Sequence, residues 1–446
     1  MARTSGKRSI FSRRCFFEPL ERRTLLSASF EPAYLLCAGA NGGQSPSAGA
    51  AGLVGDVAPA DGTLPPGLSP QQLRKAYGVD SIFLGALQGD GSGQTIAIVD
   101  AGDQPNIASD LHTFDQEFGI ADPPSFTKVD GDPGWSISAD SSWGAEESLD
   151  VEWAHAIAPE ASIVLVECYL PYTPESLGSH LFTAVNYARN LPGVNAVSMS
   201  WGCLEGTSNP EEVTEAQEQQ YDAVLTTPAG HAGITFLACT GDSGAISWPG
   251  GSAAGWYPAF SPKAVAVGGT TLTTEPDGTY VSETGWSLGA VNDPGEGTGG
   301  GPSIYEPEPT YQSLSNAQSS GMRETPDVAM DADPHTGVAV YDTYQQNGWM
   351  VLGGTSVSTH CWAGLIAIAD QLRQNANLPS LDGATQTLPA LYDIYSDSAR
   401  YAADFHDITS GFNGYNAATG YDMVTGLGTP KANVLVPDLA SSSPRT

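Results

Sequence analysis

The chain has 446 residues, 40% hydrophobic and only 15% charged, enough for one large α/β domain or two modest ones. Its 50 acidic residues against 17 basic ones leave a formal net charge of -33. Such a field repels phosphate backbones and anionic lipid, which speaks against nucleic-acid and membrane-surface partners.

In chain order, residues 1–30 read as an export segment. Arg3, Lys7, Arg8, Arg13 and Arg14 give a basic start, with no apolar run of signal-peptide length behind it. The stretch Phe17-Glu18-Pro19-Leu20-Glu21-Arg22-Arg23-Thr24-Leu25-Leu26-Ser27 resembles a short motif on exported bacterial proteins, so a secreted, extracellular protein is expected. No run approaches the roughly 20 apolar residues of a membrane span. Residues 31–67, rich in Ala, Gly, Ser and Pro, read as a flexible linker. One domain is expected over 68–439, followed by a loose tail at 440–446.

Within that domain, short apolar runs alternate with helical patterns. Gln94–Val99, Ser162–Val166, Val194–Met199, Thr235–Ala238 and Ala264–Val267 read as buried strands. Ala145–Ile157, Leu181–Arg189 and Glu212–Ala229 read as helices. The alternation predicts an α/β fold, a mostly parallel sheet with helices on both faces, whose ligands gather at the carboxyl ends of the strands. Cys168 and Cys203 each follow a strand and either meet in a disulfide or stay as buried thiols.

Three segments carry candidate chemistry. In Glu146-Glu147-Ser148-Leu149-Asp150, the repeat of Leu149, Trp153 and Ile157 predicts an amphipathic helix with Glu146 and Asp150 one turn apart on one face. Two close carboxylates resist ionising together and can divide the work of a base and its partner; a solvated acidic face is the plainer reading. Gly241-Asp242-Ser243-Gly244 follows a strand, where a turn-forming Asp is ordinary. Gly354-Thr355-Ser356 follows an apolar run and opens a helix, where free N–H groups suit an oxyanion, or merely a capping serine. Ser243 as a chymotrypsin-like nucleophile requires an all-β fold and an upstream His-Cys pair; the one such pair, His360-Cys361, lies downstream.

Taken in order, Glu-x-x-x-Asp, Gly-Asp-Ser-Gly and Gly-Thr-Ser resemble the sedolisin family of serine-carboxyl peptidases, which have a subtilisin-like fold. Flanking matches include Leu73–Gly78, Gln94–Asp100, Val197–Gly202, Val267–Leu272, Pro326–Ala329 and Thr425–Gly428. The resemblance implies Ser356 as nucleophile, Glu146 as base, Asp150 as its support and a protonated Asp242 as donor to the oxyanion. It also implies Asp100 in the carboxylate network, and a substrate cleft lined by Ser200, Trp201, Gly202 and Gly241 that adds an extended peptide as a strand. Asp407 and Asp422, with the carbonyls of Ile408, Ala418 and Gly420, match the family's site for one structural calcium.

The activity implied is that of a monomeric endopeptidase on proteins or peptides in acid. A tripeptidyl-exopeptidase and a catalytically silent peptide-binding module on the same fold are the alternatives. A histidine-dependent subtilisin lacks its His-Gly-Thr-His segment. Two departures stand out. His360 occupies the place of a usual proline, at an expected cost in rigidity in the helix's first turn. The stretch before Leu68 is too short and Gly/Ala-rich for the family's folded prodomain, which puts self-activation in question.

Overall fold

The computed structural model describes residues 31–32, 35–36, 65–171, 176–206, 212–245, 255–287, 296–314 and 320–442. The proposed export segment and the tail end at 443–446 lie outside them.

Short helix α1 (Pro70–Tyr77) opens on a capping box, with Ser69 accepting from the Gln72 N–H and the Gln72 side chain accepting from the Ser69 N–H. The main elements that follow are β1 (Thr95–Ala101), β2 (Phe126–Asp130), α2 (Ser141–Ile157), β3 (Ser162–Cys168), α3 (Leu177–Ala188), β4 (Val194–Met199) and β5 (Trp201–Leu204). Next come α4 (Glu215–Asp222), β6 (Thr235–Cys239), β7 (Ala264–Thr274), β8 (Tyr280–Gly285), β9 (Val328–Asp331), β10 (Val338–Asp342), β11 (Gly348–Gly353), α5 (Thr355–Asn375) and α6 (Ala432–Ser441).

The central sheet runs β8-β7-β6-β4-β1-β3-β2, with β9 also against β7. All its pairings are parallel except β7 with β8. Alternation along β1 shows why both faces are covered. Ile96 and Ile98 enter one core with Leu149, Trp153, Ile366 and Leu435, while Ala97 and Val99 enter the other with Leu181 and Val185. The expected α/β architecture is the one observed.

Four details differ from expectation. Helix α2 is not amphipathic: every residue from Trp143 to Ile157 is buried, because α5 packs along it and β10 also covers it. Helix α4 ends at Asp222 rather than Ala229, where Thr226-Thr227-Pro228 brings two β-branched residues and a proline that disfavours helix before it. Within the expected linker, Glu31–Pro32 and Leu35–Leu36 are short strands that pair with β5 and β11. The expected loose tail is helical through Ser441, and Arg373 Nη1 donates to the carbonyls of Ala440 at 3.1 Å and Ser442 at 2.7 Å. Cys168 and Cys203 are free buried thiols, which resolves that alternative.

Candidate active site

The candidate residues converge at the carboxyl ends of β1, β4 and β6 and at the amino end of α5. Asp100 is the next-to-last residue of β1, Ser200 follows β4, and Asp242 follows β6 across the Thr240-Gly241 turn. Ser356 is the second residue of α5, after Gly353 and Gly354. Gly354 has φ 122°, a conformation open to glycine, and its N–H donates to Ala332 O at 2.6 Å. That turn brings the serine to a helix end whose first N–H groups have no partner within the helix.

Ser356 Oγ donates to Glu146 Oε1, joining residues far apart in sequence through the packing of α5 on α2. Glu146 Oε2 has no hydrogen-bond partner among the described residues. Burial first, then Asp150 and Asp100 beside it, push the Glu146 carboxyl well above its ordinary range. Asp150 is likewise raised by burial, although Ser200 Oγ donates to its Oδ1 at 3.2 Å. Asp100 lies behind them, fully buried, with neither oxygen partnered among the described residues and its pKa raised by burial and then by Asp150. Three adjacent carboxyls therefore resist ionisation together and hold protons into mildly acidic solution.

Asp242 stands on the other side of the serine. Its Oδ1 accepts from the Thr355 N–H at 2.9 Å and from Thr355 Oγ1 at 2.7 Å, while Oδ2 has no partner among the described residues. Burial pushes its pKa up to about 6, against the lowering effect of the Thr355 bonds. Below that pH the unpartnered oxygen carries a proton to donate. Ser243, the rejected rival, is exposed.

The expected cleft rims are main chain. Gly241 has φ 94°, and a side chain there would meet the Trp256 ring at 2.6 Å. Trp201 buries its ring and donates to Val99 O at 2.6 Å, which leaves the backbone of Trp201–Gly202 as a strand edge. The segment Glu31–Pro32 pairs antiparallel with that edge, Glu31 against Gly202 and Pro32 against Trp201. Leu35–Leu36 pairs antiparallel with β11, Leu35 against Gly353 and Leu36 against Leu352. The chain's own N-terminal stretch thus meets one rim on each side of the serine.

One neighbour of the site was not anticipated. His360, fully buried one turn after Ser356, puts Nδ1 2.9 Å from Asp150 Oδ1 and 2.9 Å from Ser200 Oγ. It lies in the second helical turn rather than the first, as α5 begins at Thr355. Only the sign of a missing proline marked the position in sequence.

Later in the chain, Asp407 and Asp422 approach one loop. Asp407 Oδ1 accepts from the Gly420 N–H at 3.0 Å, and Asp422 Oδ2 from the Ala418 N–H at 2.8 Å. Asp422 Oδ1 also accepts from the N–H groups of Val424 and Thr425, both at 2.8 Å. Together with the carbonyls expected from Ile408, Ala418 and Gly420, the two carboxylates would make an all-oxygen set of the kind a hard divalent cation takes. Among the described residues, no cluster of three or more His, Cys, Asp or Glu side chains is arranged to hold a metal.

The subtilase family model matches residues 91–402. Kumamolisin of Bacillus sp. (strain MN-32) is 33% identical over 359 residues, 76% of this chain and 59% of that protein. Sedolisin of Pseudomonas sp. (strain 101) is 32% identical over 348 residues, covering 75% and 56%, and human tripeptidyl-peptidase 1 is 26% identical over 412 residues, covering 84% and 64%. The chain spans a little over half the length of the first two relatives. Among solved structures, Pseudomonas sedolisin, a serine-carboxyl proteinase complexed with two molecules of pseudo-iodotyrostatin, aligns with a TM-score of 0.70 at 28% identity, covering 83% of this chain and 97% of that one.

Proposed function

Since the chain belongs to the subtilase family and within it to the sedolisins, we propose that it is a secreted, monomeric serine-carboxyl endopeptidase that hydrolyses proteins in acid. The observation that carries this reading is the buried contact between Ser356 Oγ and Glu146, with Asp150 next to Glu146 and Asp242 across the serine. Ser356 attacks the peptide carbonyl as Glu146 takes its proton; Glu146 then returns that proton to the leaving amine. Asp150 orients Glu146 and supports it electrostatically. Asp242, protonated, donates from Oδ2 to the tetrahedral oxyanion, beside a backbone N–H near Ser356.

An extended peptide would lie between the rims at Trp201–Gly202 and Leu352–Gly353, as main chain on main chain. The pairing of residues 31–36 supports this path. The loop over Asp407 and Asp422 is proposed to hold one calcium, which would tie the C-terminal segment to the domain and take no part in the chemistry. Among the described residues no helix is long and apolar enough to cross a membrane, which agrees with export.

The test is digestion of a denatured protein near pH 4, where model carboxyls titrate, with wild type and Ser356→Ala, followed by sequencing of the product ends. Internal cuts that vanish with Ser356 support the proposal. Tripeptides released in succession from free amino termini would favour the exopeptidase reading, and intact substrate with wild type the silent binding module.

A further inference from the structure

The carboxylate cluster has one basic neighbour among the described residues, and the reaction as written leaves it idle. His360 Nδ1 lies 2.9 Å from Asp150 Oδ1, 2.9 Å from Ser200 Oγ and 3.2 Å from Ser356 O, and its Nε2 is buried with no hydrogen-bond partner among the described residues. Although a serine, a histidine and an aspartate meet here, they do not form a hydrolase triad. Ser200 and Asp150 address the same ring nitrogen, whereas a triad needs the two on opposite nitrogens. Ser356, for its part, engages Glu146.

We propose that His360 is a positioning residue that acts through Asp150: it fixes the Asp150 carboxyl and supplies the counter-charge that lets one more carboxyl of the cluster ionise in acid. The inference rests on the peptidase reading of this site. The ionisable groups around the ring are nearly all acidic. They are Asp150 from α2 and Asp100 from β1, with Glu146 beside those two carboxyls; Cys239 of β6 responds to Asp242, Glu146 and Asp150. Asp331 of β9 acts on the neighbouring Cys361. The residues of β4 and β7 include no ionisable side chain, and Asp438 of α6 bonds to Arg400 instead.

A charged imidazole at 2.9 Å changes the proton balance of this group. For a given net charge, a cluster that includes a protonated imidazole can hold one more ionised carboxyl than a cluster without it. Glu146 must be ionised to accept the serine proton, so His360 extends the working range downward in pH. Burial pushes the imidazole down to about 4, with Asp100 pulling it upward, so its charge is present below that pH and lost as pH rises through it. Conversely, an apolar or amide side chain would leave three buried carboxyls with no cation.

The experiment compares pH profiles of kcat and KM for wild type, His360→Asn and His360→Leu. Asparagine keeps a donor near the Nδ1 position without the charge; leucine removes both, and should it fail to fold, asparagine alone still decides. With His360→Asn, the acid limb of kcat/KM should move up by about one pH unit, roughly tenfold at its foot, with KM nearly unchanged. A profile superimposed on that of wild type overturns the proposal. A second measurement is independent of hydrolysis: NMR titration of the His360 ring in Ser356→Ala, with and without Asp150→Asn. Loss of the Asp150 charge should lower the imidazole pKa, and an unaltered titration overturns the proposal. If the titration responds and wild type cleaves nothing, the coupling stands and the peptidase reading falls.

Discussion

Glu146 and Asp422 are both largely buried carboxyl groups, and their surroundings prepare them for opposite tasks. Glu146 receives one hydroxyl donor at one oxygen and none at the other among the described residues, with further carboxyls close by. Asp422 receives three main-chain N–H groups, at Ala418, Val424 and Thr425, which offset part of the rise that burial causes. A buried acid with few donors holds its proton more firmly, and one given several donors holds it less firmly. The proposed roles thus ask the same functional group to serve as a proton carrier at one site and as a tether at another.

That contrast is open to direct attack. At the proton-carrying end, Ser356→Ala should lower kcat by roughly 10⁴-fold or more, as for nucleophiles that act within a concerted unit. Ser243→Ala, on the exposed turn, should leave most activity; the reverse pattern would assign the nucleophile to the rival serine.

Asp242→Ala should cost about 10² to 10³-fold in kcat, the usual effect of losing an oxyanion donor. With its pKa raised to about 6, Asp242 donates only below that value, so activity should fall as pH rises through it. Asp242→Asn, a donor that does not titrate, should flatten that limb. A wild-type profile that peaks near pH 8, well above the value for Asp242, would break the assignment.

The tethering end should give the smallest effect. A cation that binds only the folded state adds about 2.7 kcal/mol at a hundredfold excess over its Kd. Melting curves at about pH 6, where model carboxyls are ionised, should shift down with chelator in wild type. The shift should be absent in Asp422→Ala, and identical wild-type curves in calcium and chelator would refute a bound ion.

Much of this architecture could be read from the residues. Val194–Met199 forms the strand its apolar run implies, and the four-residue spacing of Glu146 and Asp150 fixes both on one helix. What escaped reading has physical reasons. His360 meets Asp150 only because α5 packs on α2, and a lone histidine in an apolar helix carries no local sign of such a partner. The strands at 31–36 pair through main chain, which any sequence can supply, so their composition reads as linker. The Leu149-Trp153-Ile157 stripe marks the face that meets the core and is silent about the burial of the opposite one.

The burial of α2 from Trp143 to Ile157 has a consequence for the endurance of the fold itself. Glu146, Glu147, Asp150 and Glu152 all have pKa values raised well above those of an unfolded chain, chiefly by desolvation, as do Asp331 and Asp370 elsewhere in the core. Between the unfolded values, about 4, and the raised folded ones, the native state binds more protons than the unfolded state. Stability therefore declines as pH rises through that window, and each group adds to the slope. Thermal melts from about pH 4 toward pH 8 should show a falling midpoint, and a midpoint that climbs across that range would contradict the protonated interior. The same hidden acids that ready the serine in acid would then loosen the whole molecule in a neutral medium, limiting where it can persist as well as where it can cut.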